Sequence, residues 1–171
     1  MTTKLDSSAK SSGVVEERVL EAHAYYLQMF DWEVSTRNKM LMFGNLIAHA
    51  NPVVWRIVGV TRDAVEVFAE HDYRKQSRMG VNRGHLIDRN DTYTQLFTHR
   101  FDDPWEWWDF YYSRDRTVLM TSTENVSGNH SEIFDIPDGL FLSSGFAWRH
   151  RKEERDFLRG LHRQFQQPIA A

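Results

Sequence analysis

The chain has 171 residues, a net charge of −3 and no cysteine. This length is typical of one domain with a buried core, and the missing cysteines exclude disulfides, cysteine nucleophiles and thiolate metal sites. The charge excludes a basic field over the whole protein, although a local basic face is compatible with it. No apolar run approaches the roughly 18 residues that span a membrane, and the amino terminus lacks the apolar core of a signal peptide. We therefore expect a cytoplasmic protein.

Hydrophobic spacing and capping residues predict the secondary structure in chain order. Polar residues 1–13 are expected to form a disordered tail before a single globular domain over residues 14–171. Helices are predicted over 14–32, 36–50, 62–70, 92–100, 104–113 and 152–165, and strands over 53–60, 117–121 and 146–148. Residues 71–83 favour a hairpin or a loop leading into a strand. This order predicts an α+β fold that is mostly helical, with a small β-sheet.

The densest polar segment covers residues 82–91, with the sequence NRGHLIDRND. Its histidine is His85, and histidine is the residue type whose unperturbed pKa lies nearest neutrality, so it can take a proton from water at working pH. Arg83 and Arg89 flank it with fork-like donors that match phosphate oxygens. The segment predicts a general base beside phosphate-binding arginines, and a solvated surface loop is the alternative interpretation.

A second polar segment, residues 121–132, directly follows a predicted strand. If it forms a helix, Asn125, Asn129 and Glu132 share one face, with His130 beside them. Carboxamide, imidazole and carboxylate groups together suit one divalent cation, such as magnesium, manganese or zinc. An ordinary capped helix start is the alternative, and Gly128 weakens the helix prediction.

Together the two segments resemble the HNH nucleases. Residues 85–90 (HLIDRN) are similar to the first-histidine segment of that family. Residues 118–125 (VLMTSTEN), with His130 shortly after, are similar to its hydrophobic–Thr–x–x–Glu–Asn passage. Residues 82–85 (NRGH) also resemble the Asp-Arg-Gly-His motif of the nonspecific DNA/RNA nucleases, a related ββα-metal family. The sequence departs from these patterns at Gly84 and Asn82, where the two families carry aspartate.

The resemblance implies a ββα-metal-like unit and a metal-dependent endonuclease that hydrolyses DNA in restriction, homing or phage DNA processing. It implies that His85 is the general base, that Asn125 is a second catalytic residue, and that Asp88 and His130 hold the cation. The implied cation is magnesium, with manganese or zinc as alternatives. Cutting both strands at a palindromic site implies a homodimer, because two-fold symmetry matches such a site.

Two basic stretches support a DNA partner. One surrounds His85, and the other lies within residues 149–163. The predicted nucleic-acid-binding residues are Arg78, Arg83, Arg89, Arg151 and Arg155. Ordinary solvated helix faces are the alternative interpretation of both stretches.

Residues 104–113 place three tryptophans, Trp105, Trp107 and Trp108, in one predicted helix. Both faces of this helix are aromatic, so at least one must be buried, and its acidic residues make it a poor surface for DNA. We predict a structural role for it. Two other functions stay open: a non-enzymatic nucleic-acid-binding protein, and an accessory protein that binds other proteins through these tryptophans.

Overall fold

The structure is a computed structural model that describes residues 16–50, 55–144 and 147–166. The predicted tail over residues 1–13 lies outside the described residues, as do the first two residues of the predicted strand 53–60 and Phe146 of the last predicted strand. The helices are α1 (Glu16–Phe30), α2 (Thr36–Ala50), α3 (Arg62–Glu70), α4 (Arg89–Thr98), α5 (Pro104–Arg114), α6 (Ser122–Ser127) and α7 (Lys152–Phe165). The strands are β1 (Arg56–Thr61), β2 (Val81–His85), β3 (Arg116–Thr121), β4 (Ile133–Asp135), β5 (Ser143–Ser144) and β6 (Ala147–Trp148). The α+β prediction is confirmed.

The chain divides into two compact units. The first comprises Met1–Val54 and Ile87–Asp115, and within the described residues it is built from α1, α2, α4 and α5. Its core is aromatic: Tyr26, Phe43 and Trp107 are fully buried. The Tyr26 hydroxyl donates to the carbonyl of Leu96 (2.9 Å), which ties α1 to α4. Because Trp107 lies in this core, its predicted structural role agrees with its burial.

The second unit comprises Trp55–Leu86 and Arg116–Ala171 and holds the sheet. The strand order is β2-β3-β1-β4, with β1 and β3 parallel and the other neighbouring pairs antiparallel. The core of this unit brings together residues of the sheet, α3 and α7, among them Val60, Leu119, Phe68 and Leu158. Alternation along the strands turns these sheet residues towards the helices.

Three local features differ from the predictions. Helix α4 begins at Arg89, with Asp88 as its N-cap, rather than after Asp91. Strands β4 and β5 were not predicted, since neither exceeds three residues and such short segments carry no measurable periodicity. Helix α6 ends at Ser127, because Gly128 adopts a left-handed conformation (φ 70°). None of the helices within the described ranges has the length and apolarity needed to cross a membrane.

Candidate nucleic-acid interface

Strand β2 carries the histidine that the sequence singles out. It pairs antiparallel with β3, so that Gly84 lies opposite Val118 and His85 lies opposite Thr117. Successive side chains of a strand point to opposite faces. Arg83 and His85 therefore share one face of β2, while Asn82 and Gly84 belong to the other face.

The face of Arg83 and His85 is rich in aromatic rings and cations. We call Trp55, Lys75, Arg83, His85 and Trp148 the cation–aromatic cluster. The His85 ring stands edge-on to Trp55, with centroids 5.8 Å apart. The Arg83 guanidinium lies 4.8 Å from the centroid of Trp55 and 5.7 Å from that of Trp148. Lys75 Nζ lies 3.4 Å from the centroid of Trp148. All five side chains belong to the second unit.

Hydrogen bonds to Trp55 and Ser143 fix the position of Arg83 in this cluster. Its Nη1 donates to the carbonyl oxygen of Trp55 (3.4 Å) and to Ser143 Oγ (3.3 Å). Ser143 Oγ in turn donates to the same Trp55 carbonyl (2.9 Å). Ser143 also pairs with Trp148 in the β5–β6 ladder. The small second sheet thus holds Trp148 beside the arginine.

Two nitrogen groups near the cluster have lowered pKa values. Partial burial lowers the pKa of Lys75, and the positive charge of Arg83 lowers it further. Burial also lowers the pKa of His150, whose Nε2 lies 2.9 Å from the Tyr73 carbonyl. Both groups lose their protons more readily than usual, so this part of the unit disfavours additional positive charge.

Asn125, the second predicted catalytic residue, contacts the opposite face of β2. A Cβ atom built on Gly84 would lie 2.5 Å from Asn125 Oδ1 and 2.5 Å from Met120 Sδ. Asn82, on the same face as Gly84, donates from Nδ2 to Ser122 Oγ (2.9 Å). The antiparallel pair β2–β3 and the following helix α6 therefore form a compact ββα arrangement. Within it, the His85 side chain projects from one face of β2, whereas Asn125 of α6 packs against the other face.

The glutamate of the Thr–x–x–Glu–Asn passage is a buried structural centre. Glu124 Oε2 accepts from Thr61 Oγ1 (2.8 Å) and from the Thr121 amide (2.8 Å), and Oε1 accepts from the Ser131 amide (2.9 Å) and hydroxyl (2.7 Å). Burial by itself raises the pKa of this carboxyl, but the hydrogen bonds from Ser131, Thr121 and Thr61 outweigh it and lower the pKa to about 2. Glu124 thus joins the ends of β1 and β3 to the segment before β4.

The two predicted cation ligands, Asp88 and His130, belong to different units. Asp88 belongs to the first unit, where its carboxylate accepts from the Asn90 amide (2.7 Å) as the N-cap of α4. His130 is exposed in the second unit, after the end of α6. The predicted shared face of Asn125, Asn129 and Glu132 is wrong, because Gly128 ends the helix after Asn125 and before Asn129 and Glu132. In the part of the chain that the structure describes, no three His, Asp or Glu side chains lie close enough to hold a metal ion.

The remaining predicted DNA-binding arginines are distributed over both units. Arg78 is exposed in a turn before β2, with a left-handed φ of 64°. Arg89 opens α4, 5.9 Å from the ring centroid of Tyr93. Arg151 is exposed at the start of α7, and Arg155 is half-buried one turn later. Of the five predicted DNA-binding arginines, only Arg83 belongs to the cation–aromatic cluster.

Sequence reasoning missed Trp148 as a site residue and gave Lys75 no specific role. Trp148 Cα pairs with Ser143 in a two-residue strand, and the side chain meets Lys75 from a distant part of the chain. No spacing in the sequence reveals such a contact. No family model, curated protein or solved structure matches the chain.

Proposed function

We propose that the protein is an endonuclease that hydrolyses phosphodiester bonds in DNA in the cytoplasm, with His85 as general base. One observation carries the proposal: His85 and Arg83 share a face of β2 and both contact Trp55 (5.8 and 4.8 Å between the groups). A general base and a phosphate-binding cation are the two groups that attack on a phosphodiester requires. The ββα arrangement of β2, β3 and α6 adds to the resemblance to HNH nucleases.

The side chains of this face supply the following chemistry. His85 accepts a proton from a water molecule while the water oxygen forms a bond to phosphorus. The bond from phosphorus to the leaving oxygen breaks, and that oxygen takes a proton from solvent. Arg83 donates hydrogen bonds to the phosphate oxygens, where negative charge accumulates in the transition state.

The proposal includes a divalent cation because the sequence resembles nucleases that use one. Magnesium is the expected ion, with manganese or zinc as alternatives. When bound, such an ion stabilises the charge on the phosphate and on the leaving oxygen. The described residues do not form a three-ligand group for it, so the steps assigned here belong to His85 and Arg83. A homodimer is expected for a cutter of both strands, and sedimentation of the protein with palindromic DNA measures it.

Cleavage of supercoiled plasmid DNA tests the proposal. We expect nicking in the presence of magnesium and a loss of roughly 10²–10⁴ in rate for His85→Ala, which is the usual cost of removing a general base. His99→Ala is the matched control, since His99 is exposed in the other unit. DNA affinity, measured by gel shift, should change little in both variants. Cleavage by His85→Ala at the parental rate would contradict the assignment of His85 as the general base.

A non-enzymatic nucleic-acid-binding protein is the second candidate. It is favoured by the separation of His85 and Asn125 onto opposite faces of β2, because a catalytic pair is expected to share a site. In that case the protein retards DNA in a gel and never cuts it under any divalent metal. The protein-interaction alternative draws no support from Trp107 and Trp108, which are 0% and 2% exposed.

A further inference from the structure

We propose that Lys75 and Arg83 form a phosphate-binding site against Trp148, and that its ligand is a phosphate group. This inference deepens the proposed function, because assigning the phosphate to a nucleic-acid backbone rests on that function. Inorganic phosphate or a phosphorylated small molecule presents the same chemistry. The experiment below therefore separates these sources.

The first argument is the geometry of the two cations. Lys75 Nζ and the Arg83 guanidinium both lie against the indole of Trp148, at 3.4 and 5.7 Å from its centroid. The ring attracts each cation through its π face. It also brings the two like charges close enough for Arg83 to lower the pKa of Lys75. An anion bound to both would replace this repulsion with two attractions.

The second argument concerns two acids of the same unit, Asp72 and Glu154, each of which pairs with an arginine. Asp72, three residues before Lys75, forms an ion pair with Arg74 (3.5 Å). The buried Glu154 pairs with Arg149 (2.5 Å) and accepts from the Phe141 amide (3.2 Å). The carboxylates of Asp72 and Glu154 are therefore engaged with Arg74 and Arg149.

The third argument is the kind of anion that this site fits. A guanidinium presents planar, paired donors and an ammonium presents a compact charge, and together they match the several oxygens of a tetrahedral phosphate. Trp55 and Trp148 flank the arginine and displace water from around it, which strengthens its electrostatic attraction for an anion. Lys75 itself is exposed, so a ligand can reach it from solvent. The anchoring of Arg83 to Trp55 and Ser143 reduces the entropy lost on binding.

Binding of a labelled single-stranded oligonucleotide tests the site in the full chain. The probe is a fluorescein-labelled oligodeoxythymidine of about twelve nucleotides, within the usual footprint of such sites. We expect Lys75→Gln to weaken binding roughly tenfold, as loss of a charge-assisted hydrogen bond does. The slope of log K against log salt should become shallower by about 0.7, the value for one phosphate contact on a single strand. Arg83→Gln should do the same, and Arg83→Lys should keep the slope while losing affinity.

Arg62→Gln is the matched control. It removes the same charge from the same unit, but Arg62 pairs with Glu132 (3.9 Å) and lies outside both basic stretches. It should leave both affinity and slope unchanged. Circular dichroism of each variant confirms folding, and Lys75→Gln keeps the test valid if Arg83→Gln fails to fold, because Lys75 is exposed.

Titration with inorganic phosphate separates the sources of the ligand. The readout is the ¹H–¹⁵N resonance of the Trp148 indole, which should shift in the parental protein and not in Lys75→Gln. A shift with phosphate but no binding of the oligonucleotide supports the site and contradicts the proposed function. If oligonucleotide binding depends on Lys75 but the protein does not cleave DNA, the result also supports the site and contradicts the nuclease function. Unchanged oligonucleotide binding and unchanged phosphate response in Lys75→Gln would overturn the inference.

Discussion

Asn125 lies directly over the backbone of Gly84, with its Oδ1 atom 2.5 Å from the position that a Cβ atom would take. Gly84 is buried in β2, and Met120 Sδ approaches the same position to 2.5 Å. No other residue fits there without displacing α6 or the Met120 side chain. Gly84 therefore sets the approach of the asparagine helix to the histidine strand.

This contact makes Gly84→Ala a sharp test of the ββα arrangement. We expect a loss of about 1–3 kcal/mol in the free energy of unfolding, as for an added methyl group in a packed site. Urea unfolding measures the loss. The double variant Gly84→Ala/Asn125→Ala should recover part of it, because one of the two crowding side chains is shortened. Gly80→Ala is a contrasting variant, since Gly80 has open space around it and its cost should come from its positive φ (81°) alone. Equal losses in Gly84→Ala with and without Asn125 would contradict the close approach.

The buried carboxylate of Glu124 predicts a pH-dependent stability. Its pKa of about 2 in the folded protein lies below the ordinary value of 4.5, so folding favours the ionised form. The stabilisation is complete above the ordinary pKa and is lost as pH falls towards 2. The shift corresponds to roughly 3 kcal/mol. Urea unfolding measured at several pH values should show this decline, and Glu124→Gln should flatten it while lowering stability at neutral pH. A parental decline that persists in Glu124→Gln would assign the effect to other carboxylates.

The burial of Trp107 predicts that its replacement by alanine lowers stability strongly and leaves DNA binding unchanged. Its side chain is fully buried among Tyr26, Phe43 and Tyr111, with ring centroids 5.6, 6.0 and 6.5 Å away. Trp107→Ala should lower the free energy of unfolding by about 3–5 kcal/mol. The salt dependence of DNA binding should not change, because it follows Lys and Arg contacts. Trp105→Ala, at a half-buried position, should cost less. A stable Trp107→Ala protein that no longer binds DNA would make this helix a stacking surface.

Substitutions at Asp88 separate its proposed role as a metal ligand from its structural role as the N-cap of α4. Asparagine caps helices as well as aspartate does, so Asp88→Asn should keep the stability of α4, whereas Asp88→Ala should lose about 1 kcal/mol. If Asp88 and His130 hold the cation, chelation stops plasmid cleavage, and Asp88→Asn and His130→Ala raise the magnesium concentration for half-maximal cleavage. Magnesium titrations of both variants measure this. The parental magnesium requirement in both variants would leave Asp88 as a helix cap only.

Local signals predicted much of the secondary structure. Thr61 caps α3 by accepting from the Ala64 amide, and Asp103 caps α5 before Pro104, as expected from residues that compete for backbone donors. The closing helix Lys152–Phe165 begins and ends where its apolar spacing indicates. These features depend on neighbours within four residues. The positions of these caps and helix ends can therefore be predicted from the local sequence.

The candidate site depends on contacts that sequence spacing does not encode. The sequence presents Glu124 as part of a family motif, whereas its five partner groups make it a structural centre for Thr61, Thr121 and Ser131. Lys75 and Trp148 lie far apart in the sequence and meet only in the folded protein. The placement of His85 and Asn125 on opposite faces of β2 follows from strand register, which long-range pairing decides. The nuclease function and its metal stay predictions.

Strand β1 finds both of its neighbours late in the chain: Arg56 pairs with Arg116, and Gly59 pairs with Asp135. During synthesis the apolar strand must wait for the ribosome to add about sixty residues, which takes roughly several seconds at ordinary elongation rates. Throughout that interval both edges of β1 lack their strands, and unpaired edges attract other chains. The nascent protein is therefore expected to need a chaperone at this stage.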